Sequence, residues 1–129
     1  MRLVLSLLLT LAAAPAWAEW VKVTENDKAT FYIDLATIRK DGGFSKVWAI
    51  QDMKQRDKGG SMSWRALFEY DCKDERYRVL SSTTHSEAMA QGSVAQGNVV
   101  GPINTPNSLW EYIPPGIPAE KALRIVCAK

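Results

Sequence analysis

The chain has 129 residues, 47% of them hydrophobic and 23% charged, a composition that suits one folded domain and excludes a disordered tail or a collagen-like repeat. Its two Cys exclude a disulfide-dense miniprotein. The formal net charge of +2, from 16 Lys+Arg against 14 Asp+Glu, is too small a footprint for a nucleic-acid binder.

Residues 1–18 have the organisation of a secretory leader. Met1 and Arg2 give a basic start, Leu3–Leu11 is apolar apart from Ser6 and Thr10, and Ala16-Trp17-Ala18 ends the stretch in the small-x-small pattern of a cleavage site. The alternative is an N-terminal membrane anchor, but the apolar run is shorter than the roughly 20 residues that span a bilayer. The expectation is a signal peptide over 1–18 and a folded domain over 19–129, exported to the periplasm or secreted. No Cys lies near the cleavage site, so no lipid anchor is expected.

Export changes the meaning of the cysteines. Cys72 and Cys127 stand 55 positions apart, which suits neither a CxxC redox motif nor a metal-ligand pair. In an oxidising compartment the pair reads first as a structural disulfide, the alternative being two free buried thiols. Closing a loop of about 56 residues stabilises a fold by roughly 4 kcal/mol on chain-entropy grounds.

Along the chain, Trp20–Thr24 alternates and is β-rich, Glu25–Lys28 is a polar turn, and Ala29–Asp34 predicts a second strand paired with the first. Leu35–Lys40 has no period-2 pattern and predicts a helical turn or irregular link before the Asp41-Gly42-Gly43 turn. A strand follows over Phe44–Met53, then a polar loop over Lys54–Gly60. Met62–Cys72 is the clearest strand. Trp64, Ala66, Phe68, Tyr70 and Cys72 share one face and Ser63, Arg65, Glu69 and Asp71 the other, with Leu67 an apolar exception on the polar side. Lys73–Glu75 turns the chain into a strand over Arg76–Thr84.

Ser86–Ser108 is rich in Gly, Ser, Asn, Gln and Pro and predicts a long loop with a weak edge strand near Val94–Val100. After Pro114-Pro115-Gly116, Pro118 suits a first helical position. Ala119, Ala122, Leu123, Val126 and Cys127 then form one apolar stripe, with Glu120, Lys121 and Arg124 opposite. About ten residues of helix are marginal alone, so the helix must dock, and Cys127 directs it to the sheet face that carries Cys72. The fold class expected is α+β: an antiparallel sheet with a C-terminal helix on one face.

Catalytic patterns are weak throughout. His85 is the only histidine, the Ser81–Thr84 run beside it lacks a nucleophile-elbow frame, and Asp71, Asp74 and Glu75 lack a calcium-loop frame. The glycines match neither a phosphate loop nor a dinucleotide fingerprint. No enzyme activity, cofactor or metal is expected. Binding has better support: Arg76 and Arg78 project from one strand face, Arg65 can join them, and the three suit an acidic surface, a sulfate or a phosphate. The alternative is a solvated face balanced by Glu69 and Asp71. Val99 and Val100 lie in the lightly charged edge region, where unpaired backbone groups invite strand addition or a homodimer. Trp64 is expected in the core by its strand pattern, and Trp20, Trp48 and Trp110 with it.

Trp20-Val21, Phe31-Tyr32-Ile33-Asp34, Thr37-Ile38-Arg39, Val47-Trp48, Asp52, the Phe68–Cys72 block with Arg76, Arg78 and Leu80, and Trp110-Glu111…Pro114-Pro115-Gly116…Cys127 run in order along the domain. Together they resemble the surface-adhesin protein E family. The resemblance implies a six-stranded antiparallel sheet with a C-terminal helix held to it by a Cys72–Cys127 disulfide. It also implies a partner among envelope or host matrix proteins, and a possible homodimer. The functional expectation is a non-enzymatic exported protein acting by protein–protein contact; the alternative is a structural or housekeeping periplasmic protein with no adhesive role.

Overall fold

The computed structural model describes residues 18–98 and 109–128. Most of the leader, and Val99 and Val100 with the rest of 99–108, lie outside the described residues. Alternating sequence becomes eight strands: β1 (Trp20–Glu25), β2 (Ala29–Asp34), β3 (Arg39–Asp41), β4 (Phe44–Met53), β5 (Ser63–Asp71), β6 (Arg76–His85), β7 (Val94–Asn98) and β8 (Glu111–Tyr112). The helix α1 follows over Pro118–Cys127. Six strands lie in the order β1-β2-β4-β5-β6-β7, every pair antiparallel, with β3 added to β4 and β8 to β6. The expected six-stranded sheet with one C-terminal helix is therefore what the chain forms. The Leu35–Lys40 link resolves into a 3-10 turn, Leu35–Thr37, capped by the Asp34 side chain, and then the short β3.

Strand β6 carries one residue more than its partner. Leu67 pairs with Ser81 while Phe68 pairs with Val79, leaving Leu80 as a bulge. The bulge changes the phase of β6, so Arg76 and Arg78 before it share a face with Ser81, Thr83 and His85 after it.

Helix α1 packs its predicted stripe on the sheet. Ala122, Leu123 and Val126 meet Ile33, Val47 and Tyr70 in the buried core. Pro118 occupies the first turn, and the Glu120 carboxylate accepts the Gly116 N–H just outside it. Cys127 is bonded to Cys72, with the two Cα atoms 5.7 Å apart, so the C-terminal end of the helix is pinned to the end of β5.

The 86–93 region is an ordered turn where the composition predicted only a loop. Ser86 N–H bonds Ser93 O and Glu87 N–H bonds Gln91 O, closing it on itself. Met89 and Ala90 adopt φ of 55° and 56°, the left-handed region that non-glycine residues avoid. Gly92 is also left-handed, and a Cβ there would lie 2.3 Å from Ser86 Oγ, so the turn requires glycine.

Candidate functional site

The face of the sheet away from the helix carries the arginines singled out by sequence. Strand register lays this outer face out in five cross-strand rows on β4, β5 and β6: Asp52–Ser63–His85, Ile50–Arg65–Thr83, Trp48–Leu67–Ser81, Lys46–Glu69–Arg78 and Phe44–Asp71–Arg76.

The two ends of this face are covered. At the first row, the 86–93 turn is fastened down by side chains that accept its strained amides. Met89 N–H donates to Asp52 Oδ1 at 2.8 Å, Ala90 N–H donates to Ser63 Oγ at 2.9 Å, and Ser63 Oγ donates to Glu87 O at 2.6 Å. Arg56 adds bonds to the Gly60 and Ser86 carbonyls. Asp, Ser and His stand side by side here, yet Ser63 is the middle member and its hydroxyl is committed to the turn. His85 meets Thr83 Oγ1 through Nε2 at 2.7 Å, and its buried Nδ1 has no partner.

At the other end, Arg78 reaches Glu69 (Nε to Oε1, 2.8 Å) and Arg76 reaches Asp71 (Nε to Oδ2, 2.9 Å). Lys46 approaches Glu69 at 3.9 Å. Glu69 and Asp71 are each only 4% exposed, buried beneath their own arginines. Trp110 closes the stack, with its ring 4.7 Å from the Arg76 guanidinium, 4.4 Å from that of Arg78, and 5.2 Å from the Phe44 ring. Tyr77 Oη donates to Glu111 and Ile113 N–H donates to Glu75 O, tying the segment after Trp110 along β6. Burial pushes the Asp71 carboxyl up, but the Arg76 guanidinium and the Asp74 and Lys73 amides outweigh it and hold the group below its ordinary value.

Between these covers lies Arg65. Its guanidinium stacks over Trp48 at 3.9 Å, and among the described residues no carboxylate lies within ion-pair distance of it. The three arginines thus share a face but not a state: two are paired with carboxylates within the fold, and the third stacks on Trp48 without a carboxylate partner among the described residues. Sequence reasoning placed Trp48 and Trp110 in the core. Both are instead half-buried on the outer face as platforms for arginine, and the parity of β4, which sets Trp48 level with Lys46 and Ile50, was the signal for the first.

Among the described residues no group of three or more His, Cys, Asp or Glu is placed to hold a metal ion. None of the described helices is long and apolar enough to cross a membrane.

The fold resembles solved structures of protein E from Haemophilus influenzae. Crystal form II superposes with a TM-score of 0.66 at 16% identity, covering 87% of this chain and 89% of that one. The selenomethionine form gives 0.65 at 18% identity, covering 88% of each chain. Protein E from non-typeable Haemophilus influenzae gives 0.63 at 15% identity over 87% of this chain and 77% of that one. These identities establish a shared fold. No curated protein matches the sequence. A family model for surface-adhesin protein E matches residues 20–128, the whole of the β1-to-α1 domain, and the chain belongs to the surface-adhesin protein E family.

Proposed function

We propose that this is an exported, non-enzymatic protein that acts by protein–protein contact in the bacterial envelope or outside the cell, through the outer face of its sheet. The observation that carries this reading is the Arg65–Trp48 pair: a stacked guanidinium without a carboxylate partner among the described residues, framed by two covered ends. Such a group suits an acidic side chain on a partner protein, since a planar fork of donors on an aromatic platform is held ready for a carboxylate. Membership of an adhesin family supports an envelope or host matrix protein as that partner. The leader-like 1–18 segment supports export to the periplasm or beyond.

A second reading has its own observation. Arg76 and Arg78 are already satisfied by Asp71 and Glu69, so most of the basic face is neutralised within the fold, as suits a housekeeping envelope protein with no dedicated ligand. Cross-linking of the native protein in fractionated cells, followed by identification of what is captured, separates the two. The contact reading expects a partner that Arg65→Glu releases and Arg65→Lys partly retains, while Arg76→Glu with Arg78→Glu acts chiefly on stability. Self-association through the β7 edge is expected to weaken in Val99→Asp or Val100→Asp. Recovery of monomer alone, with no binding to matrix proteins, leaves the housekeeping reading.

A further inference from the structure

The helix is too short for the face it covers. Ten residues of α-helix extend about 15 Å, whereas the nine residues of β5 extend about 30 Å. Because Cys127 pins the C-terminal end beside Cys72, the uncovered part of the face lies beyond the start of the helix, toward the Gln51–Trp64 row. There the structure has a cavity of about 280 Å³, lined mainly by Phe31, Trp64, Phe68 and Val79 of the sheet and Ile117 and Ala119 at the helix start.

The walls of this cavity constrain what can enter it. Among the described residues no acidic, basic or histidine side chain lines it, so an ion entering would lose its hydration with no charged group there to replace it. The rings present both faces and edges, with Trp64 and Phe68 perpendicular at 5.7 Å and Phe68 and Tyr77 tilted by 42° at 5.8 Å, an arrangement that accepts a further aromatic ring. A cavity of ~150 Å³ holds benzene, so this one has room for a two-ring molecule. Its lining also includes polar groups that have no hydrogen-bond partner among the described residues. Tyr70 is only 2% exposed, and its hydroxyl has no hydrogen-bond partner among the described residues; the Gln51 carboxamide has none either. Among the described residues the fully buried side-chain polar atom without a partner is His85 Nδ1 and not the Tyr70 hydroxyl, which keeps accessible surface in the cavity wall where a guest can bond it.

We propose that this cavity is a binding site for a small uncharged aromatic molecule of two-ring size that carries one hydrogen-bonding group. Burial pushes the Tyr70 phenol up, with a smaller contribution from Tyr77, which keeps the hydroxyl neutral for such a guest. The site lies on the opposite face from Arg65 and is independent of the protein-contact reading.

Calorimetric titration of the protein with 2-naphthol, alongside Trp64 emission, tests the proposal, with naphthalene and 2-naphthalenesulfonate for comparison. One-to-one binding with Kd on the order of 100 μM is expected, and the sulfonate should bind at least tenfold more weakly. Tyr70→Phe, which keeps the shape of the wall, should weaken 2-naphthol by about 2- to 10-fold and leave naphthalene unchanged. Ala119→Phe fills the cavity from the helix side and should abolish binding while the circular dichroism is retained; if that variant does not fold, Tyr70→Phe decides. Arg65→Glu should leave the titration unchanged. Absence of saturable 2-naphthol binding, equal affinity for the sulfonate, or wild-type affinity in Tyr70→Phe or in folded Ala119→Phe overturns the proposal.

Discussion

The two faces of the sheet are held by different physics, and the polar one is the better buried at its ends. On the helix side, Trp64 and Phe68 are only half-buried although they belong to the apolar parity of β5. On the outer side, Ser63, Glu69 and Asp71 are at 0%, 4% and 4% exposure. Apolar character decides which face a helix will seek, but the length of the helix and the traffic of connecting segments decide how much of each face is covered. The helix face is secured by one covalent bond and the contacts of Leu123 and Val126; the outer face is secured by ion pairs, stacked tryptophan and amides captured by Asp52 and Ser63.

That contrast is open to direct attack. Removing the disulfide with Cys72→Ser and Cys127→Ser is expected to lower unfolding stability by about 4 kcal/mol, read by denaturant titration, with hydrogen exchange rising first in α1. Leu123→Ala, a deep core truncation, is expected to cost about 3 kcal/mol. On the outer face, Glu69→Ala leaves Arg78 mostly covered and without this carboxylate; its side chain is 17% exposed, so about 2 kcal/mol is expected. A loss from Glu69→Ala as large as that from the disulfide would mean that the outer face carries the fold. Trp110→Ala, removing a platform shared by two arginines, is expected to cost about 1 kcal/mol and to raise amide exchange along the first half of β6 without loosening α1.

The mildest probe is pH. The Asp71 carboxyl is held below its ordinary value, so its contribution is present above the unfolded value of about 3.8 and lost as pH falls through the lower folded value. Arg76→Ala should flatten this acid limb. The Tyr70 phenol is pushed up by burial, so its contribution is present below about pH 10 and lost as pH rises beyond it; Tyr70→Phe should flatten that alkaline limb. Thermal melts across both limbs should show the outer face responding to acid and the helix face to alkali.

Much of the frame was legible because it rests on short-range pattern. The alternation of Trp64–Tyr70 and the Ala119–Cys127 stripe both encode a face directly, and the disulfide that joins them has the geometry they anticipated. The 86–93 turn was not legible, because its order depends on Asp52 and Ser63 capturing amides 37 and 27 positions away. Trp110 was misplaced for a related reason. Apolar size argues for the core, while its role is fixed by Arg76 and Arg78, which local pattern cannot bring to it. Nor does any periodicity reveal a cavity, which arises from the mismatch between two element lengths.

Leu80 has a consequence for how this strand tolerates change. As the extra residue of β6 it works like a reading-frame shift between two half-strands. Deleting it would restore continuous alternation and rotate everything on one side of it by half a turn, sending Thr83 and His85 toward the helix, or else Arg76 and Arg78 away from Glu69 and Asp71. Neither half can keep its neighbours unless the other gives its own up. Single-residue insertions and deletions in β6 are therefore expected to be far more damaging than substitutions at the same positions, and a compensating pair on either side of Leu80 should restore the fold where each change alone abolishes it.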